Sequence, residues 1–154
     1  MSEDIKTREA VTCAIRHIGT GIYSSGKIRS YLIQKGYTED IAVSAVRHLI
    51  DTGYIDDLRA SRKVLAVRSG KKQESRHYIC RRLLEAGIDP DCADTVTASL
   101  PDDADTCQAL YEASFGKNCG DDVSAREEEF LKLAQLRGYS PETARSAFKR
   151  YMEG

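Results

Sequence analysis

Gly21-Ile22-Tyr23-Ser24-Ser25-Gly26-Lys27 occupies the first seven positions of a phosphate-binding loop, GxxxxGK. In such a loop backbone N–H groups cradle phosphates and the lysine neutralises them. The hydroxyl residue that should follow to hold magnesium is Ile28. The loop must also be fed by a strand of a parallel sheet, whereas the preceding AVTCAIRHIGTG reads as the end of an amphipathic helix. The expectation is an inter-helix turn, with Ser24 or Ser25 as cap and Lys27 solvated. His77 with Cys80, and His17 with Cys13, have the types for a base and a nucleophile, but no third group is placed to orient either pair. The acid pairs Asp56-Asp57, Asp102-Asp103 and Asp121-Asp122 each stand where a helix should begin, so capping and dipole complementarity account for them. The five cysteines (Cys13, Cys80, Cys92, Cys107, Cys119) are odd in number and lack a CxxC pair, and the histidines are isolated. Neither a disulfide framework nor a zinc site fits that spacing. The reading is of a non-enzyme with no catalytic residues, no cofactor and no metal.

Charge is the stronger clue. Net charge is −1, yet from Arg59 to Arg82 there are nine Lys/Arg against one Glu, and from Asp89 to Glu129 twelve acids against two bases. Arg59, Arg62, Lys63 and Arg68 cannot share one narrow helical stripe and so cover most of an exposed surface. Lys71, Lys72 and Arg76 follow on a loop and early helix, then Arg81 and Arg82. These nine residues are the candidate contacts to phosphates or to an acidic protein surface.

The elements that would carry them repeat. Gly36, Gly87 and Gly138 lie 51 residues apart, each closing a helical stretch: KIRSYLIQKGY, ICRRLLEAGI and FLKLAQLRGY. Glycine past a helix end adopts the left-handed conformation at least cost, and the apolar residue after it folds back on the last turn. Thr38, Asp89 and Ser140 then stand ready to cap a new helix, with Pro90 and Pro141 at its first position. The following helices share a periodic face: Ile41, Ala45, Val46, Leu49 and Ile50; Ala93, Val96 and Leu100; Ala144, Ala147, Phe148 and Tyr151. Each repeat also opens on an earlier helix, at about 5–18, 56–69 and 103–115, and GTGIYSSG, SGKKQES and GKNCGDD separate the pieces. The expected fold is all-α: three tandem three-helix repeats (about 1–53, 54–102 and 103–154) forming one domain, stacked as an elongated, curved array.

At 154 residues, 41% hydrophobic and 31% charged, the chain is long enough for a real core and is neither collagen-like nor disordered in composition. No apolar run nears the ~20 residues of a membrane span, and MSEDIKTRE is too polar for a secretory signal. A soluble cytoplasmic monomer is expected.

Gly53-Tyr54-Ile55-Asp56-Asp57, followed by Arg59, Val64, Leu65 and Arg68, and then by Ile79, Leu83 and Ala86-Gly87-Ile88, resembles the RecX family of recombination regulators. Leu32, Lys35-Gly36-Tyr37 and Leu136-Arg137-Gly138-Tyr139 fit the same repeated pattern, and the resemblance runs from about residue 5 to 152. Three departures stand out. Ala60-Ser61 replaces an aromatic followed by Ala, Val64 replaces a second aromatic, and Ser75-Arg76 replaces Gly-Pro. The resemblance implies three three-helix repeats and a regulator that binds the filament of RecA recombinase on single-stranded DNA, inhibiting its ATPase, strand-exchange and co-protease activities in DNA repair, recombination and the SOS response. Tyr54 and Ile55 are expected to anchor the joint between the first two repeats. The alternative is a stand-alone helical nucleic-acid-binding protein using the basic stretch 59–82.

Overall fold

Helix ends carry the repeat. In a computed structural model of the chain, which describes residues 2–116 and 122–154, Gly36, Gly87 and Gly138 have φ of +104°, +85° and +92°. Each stands just past a helix: α2 (Ser25–Gln34), α5 (Arg76–Glu85) and α8 (Val123–Leu136). The N–H after each glycine reaches back to a buried residue of the last turn: Tyr37 to Leu32 O (3.1 Å), Ile88 to Leu83 O (3.0 Å), Tyr139 to Ala134 O (2.9 Å). The last carbonyls of each helix are thereby satisfied. Thr38 and Ser140 then accept the N–H groups of Ile41 and Thr143 to start α3 (Glu39–Asp51) and α9 (Pro141–Glu153), and Asp89 accepts that of Asp91 to start α6 (Pro90–Ala98).

The remaining helices are α1 (Ser2–Ile18), α4 (Asp57–Ala66) and α7 (Asp103–Phe115). Among the described residues there are nine α-helices, one 3-10 turn at Gly70–Lys72 and no strand, so the all-helical class expected is the class found. Helix α4 is shorter than the stretch 56–69 expected of it: Gly70 takes φ +61°, and the chain tightens into the 3-10 turn. No described helix is long and apolar enough to cross a membrane. Cys119, Asp121 and most of the separator GKNCGDD lie outside the described residues.

The chain divides into two compact units, Met1–Val64 with Leu83–Val96, and Leu65–Arg82 with Thr97–Gly154. In the first, α1 and α2 pack on α3 around Ala10, Ala14, Ile18, Ile28, Leu32 and the face of α3 from Ile41 to Leu49. Alanines at Ala10, Ala14, Ala42 and Ala45 are fully buried, which lets helix backbones approach closely. Ile50, expected on that face, is 47% exposed, because it lies one step round from Leu49 beyond an edge already marked by Val46. Tyr54 also departs from expectation. Gly53 turns the chain at φ +85°, leaving Tyr54 half exposed while Ile55 enters the core.

In the second unit α7 and α8 pack on α9. Fully buried Tyr111 meets Phe130 and Phe148 edge-on, at centroid distances of 5.0 and 5.3 Å, and also contacts Phe115 and Tyr151. Such pairs contribute about 0.5–1.5 kcal/mol each beyond area burial. Burial pushes the Cys107 thiol in this core up to about 12.

One joint is built twice, once inside each unit. In the first, Gly26 N–H donates to Gly87 O (2.8 Å), Ser24 Oγ donates to Ala86 O (2.7 Å), and Ser25 N–H donates to Asp57 Oδ1 (2.8 Å). In the second, Ser75 N–H donates to Arg137 O (3.0 Å) and Arg76 N–H to Asp103 Oδ1 (2.9 Å), with Gly138 against Ser75 and Tyr78. The start of α2 thus meets the glycine end of α5, and the start of α5 meets that of α8. The first residue of α4 or α7 (Asp57 or Asp103) supplies the carboxylate. Sequence reading gives these aspartates a role in their own helices, but both cap a different helix. Asp57 also receives Ser25 Oγ (2.6 Å) and Asp89 N–H (2.9 Å).

Candidate partner-binding site

The joint decides the fate of the GxxxxGK stretch. Ser25 N–H is taken by Asp57, Gly26 N–H by Gly87 O, and Lys27 N–H by Ser24 Oγ (3.3 Å). Three donors that a phosphate would need already have protein partners, and α1 rather than a strand precedes them. Ser24 is the cap, as one of the two serines was expected to be.

The histidine–cysteine pairs are not assembled. His17 stacks on Tyr31 at 3.7 Å and leans on Tyr23, while Cys13 Sγ contacts Tyr31 Oη at 3.8 Å. His77 is exposed, with its ring 6.3 Å from that of Tyr78. Burial raises the Cys92 thiol, against the pull of a hydrogen bond with Ser61. Among the described residues no group of three His, Cys, Asp or Glu is placed to hold a metal ion. Of the acid pairs, Asp56 caps its own helix through Leu58 and Arg59 N–H (3.1 and 3.3 Å), as expected. Asp122 likewise accepts Ser124 N–H (3.0 Å).

The nine candidate cations divide into two kinds. Arg59, Arg62 and Lys63 on α4, and Lys71 and Lys72 on the 3-10 turn, are exposed. Arg68, Arg76 and Arg82 are half-buried and committed to packing in the second unit. Glu74, 3% exposed, receives Arg82 Nη2 at 3.2 Å, with Arg68 Nε at 3.7 Å. The single acid of the basic stretch is therefore its internal counter-charge. Arg76 donates to Leu100 O and Pro101 O and pairs with Asp102 at 3.4 Å, which ties α5 to the start of α7. Arg81 is exposed and lies over the Tyr78 ring at 4.4 Å.

Arg137 is the residue sequence reading missed. Its Nε and Nη2 both donate to Lys71 O (3.2 and 3.0 Å), pinning the 3-10 turn that displays Lys71 and Lys72. Its position beside the third repeat glycine marks it as a helix-end residue, and no local pattern couples it to a loop 66 residues away.

No protein-family model matches the chain. Three relatives carry the name Regulatory protein RecX. That of Trichlorobacter lovleyi is 26% identical over 141 residues, covering 89% of this chain and 92% of the relative. That of Prosthecochloris aestuarii is 26% identical over 144 residues, covering 92% and 93%. That of Leuconostoc citreum is 24% identical over 146 residues, covering 95% of this chain but 48% of the relative, so the chain spans about half of that protein. Among solved structures, the crystal structure of RecX from Lactobacillus salivarius shares the fold with a TM-score of 0.74 at 14% identity, over 98% of this chain and 99% of that one. In sequence the chain is thus similar to these RecX regulatory proteins, and in fold to the solved RecX structure.

Proposed function

We propose that this protein is a cytoplasmic, non-enzymatic regulator that binds the RecA recombinase–single-stranded DNA filament as a monomer and restrains its ATPase, strand-exchange and co-protease activities. The observation that carries the reading is the similarity to regulatory proteins of that family over nine-tenths of the chain. The exposed cations supply a physical means. Arg59, Arg62 and Lys63 on one element, and Lys71 and Lys72 on another, are free of the packing duties that hold Arg68, Arg76 and Arg82. On a polymeric partner, several such modest contacts sum to useful affinity without a deep pocket. The test is to titrate the protein into RecA-coated single-stranded DNA and follow ATP hydrolysis. Hydrolysis should fall to a plateau, and an unchanged rate at saturating protein refutes the proposal.

The same cations support a second reading, a stand-alone nucleic-acid binder. It requires binding to bare DNA that weakens steeply with salt, as counterion release dictates. Indifference to bare DNA at low salt removes it while leaving the first reading intact.

A further inference from the structure

Three large apolar side chains that no core cluster uses come together in the first compact unit. Val43, Ile50 and Leu84 are 37%, 47% and 46% exposed, and all three line one groove of about 470 Å³. Helices α2 and α3 wall it on one side, the end of α5 and the start of α6 on the other. Singly exposed aliphatic residues are ordinary, but their convergence on one concavity is the mark of an interaction site. The volume lies within the roughly 300–1,000 Å³ typical of sites that enclose a ligand's side groups.

The electrostatics of the groove are one-sided. Arg29 from α2 and Arg47 from α3 line it, and neither has a hydrogen-bond or ion-pair partner among the described residues. The only acid in the lining, Asp89, turns its carboxylate to Asp91 N–H (3.2 Å) at the start of α6. The N-terminal ends of α2 and α6 also border the groove, through Ser25 and Pro90, but Asp57 and Asp89 already take N–H groups there, which leaves Arg29 and Arg47 as its uncompensated charges. An apolar floor with two unpaired guanidinium groups on its α2–α3 side matches an occupant that is itself apolar on one stripe and acidic beside it.

We propose that this groove docks an acidic amphipathic helix of a partner protein. Apolar side chains at i, i+4 and i+7 would fill the floor over Val43, Ile50 and Leu84, and flanking carboxylates would pair with Arg29 and Arg47. A nucleic acid suits the groove less well, since phosphates would engage the arginines and leave the aliphatic floor in water. The site needs neither RecA nor DNA, so its failure leaves the proposed regulatory function standing.

The probe is a fluorescent helical peptide of about 14 residues, four turns, with Leu at those positions and Glu beside them. A second peptide has Lys in place of every Glu. Anisotropy with the full-length chain should show the Glu peptide binding at least tenfold more tightly than the Lys peptide, about 1.4 kcal/mol. Arg29→Glu with Arg47→Glu should reverse that preference, and Ile50→Asp or Leu84→Asp should weaken binding about tenfold with an unchanged thermal melt. Equal binding of both peptides, or binding indifferent to Ile50→Asp and Leu84→Asp, overturns the proposal. So does self-association of the chain that Ile50→Asp abolishes, which gives the groove to a second copy. An oligonucleotide that displaces the peptide and depends on the arginines but not on Leu84 likewise overturns it.

Discussion

Alanine at each of the three repeat glycines separates the cost of a backbone conformation from the cost of crowding a joint. Gly36, Gly87 and Gly138 share a positive φ, so each substitution forces an L-residue into the left-handed region at about 1–2 kcal/mol, partly offset by the stiffer unfolded chain. The surroundings differ. A Cβ on Gly36 meets nothing within 4 Å. On Gly87 it would come within 2.5 Å of Ser24 Oγ and 2.9 Å of Lys27 N, and on Gly138 within 2.5 Å of Tyr78 Cγ and 2.6 Å of Ser75 Oγ. Those contacts are impossible without moving the start of α2 or α5, and forced displacement in packed regions costs about 1–3 kcal/mol more. Gly36→Ala should therefore lose about 1 kcal/mol, and Gly87→Ala and Gly138→Ala about 2–4 kcal/mol each. Urea unfolding followed by circular dichroism gives the losses as shifts in midpoint at constant slope. Three equal losses, within about 0.5 kcal/mol, would refute the joint as a close-packed contact and leave only backbone strain.

Asp57→Ala removes the acceptor for two N–H groups and one hydroxyl, against one N–H for Asp103→Ala. With charged acceptors at about 1.5–3 kcal/mol per bond, and incomplete additivity, the first should cost about 2–4 kcal/mol and the second about half that. Equal effects in urea unfolding would contradict the difference in geometry. Glu74→Ala should cost about 1–3 kcal/mol by leaving Arg68 and Arg82 without their shared carboxylate, seen as a lower Tm, and an unchanged melt would show the cluster to be inert. Cys107 should resist iodoacetamide at pH 8 in the folded protein while half-buried Cys80 reacts, as mass spectrometry of the labelled peptides will show. With its folded pKa raised to about 12 from 9.0, the unfolded state releases this proton first. Stability should then be full below pH 9 and fall as pH rises toward 12, and a flat profile over that window would contradict the burial of the thiol.

The helices and their ends were legible because their signals are local. Glycine spacing, Thr38 and Ser140 as caps, Pro90 and Pro141 at first turns, and the buried runs of α3 and α9 each depend on neighbours within a few residues. What escaped depends on partners far along the chain. Asp57 and Asp103 carry the right residue type for a cap, but the helices they cap begin 32 and 27 residues earlier. Arg68, Arg76 and Arg82 look in sequence like Lys71 and Lys72, and only the burial of Glu74 and the carbonyls of Leu100 and Pro101 sets them apart. Ile50 fits the periodic face of α3 and Tyr54 is expected to anchor a joint, yet the helix edge and the Gly53 turn leave both about half exposed.

The repeated joint joins helix to helix largely through peptide groups, with a serine, an aspartate and a glycine as its only side-chain requirements. Main-chain mortar of this sort is indifferent to the identity of most bricks. A contact of this sort tolerates change in the side chains around it, and the chain keeps a fold shared with RecX of Lactobacillus salivarius at 14% identity.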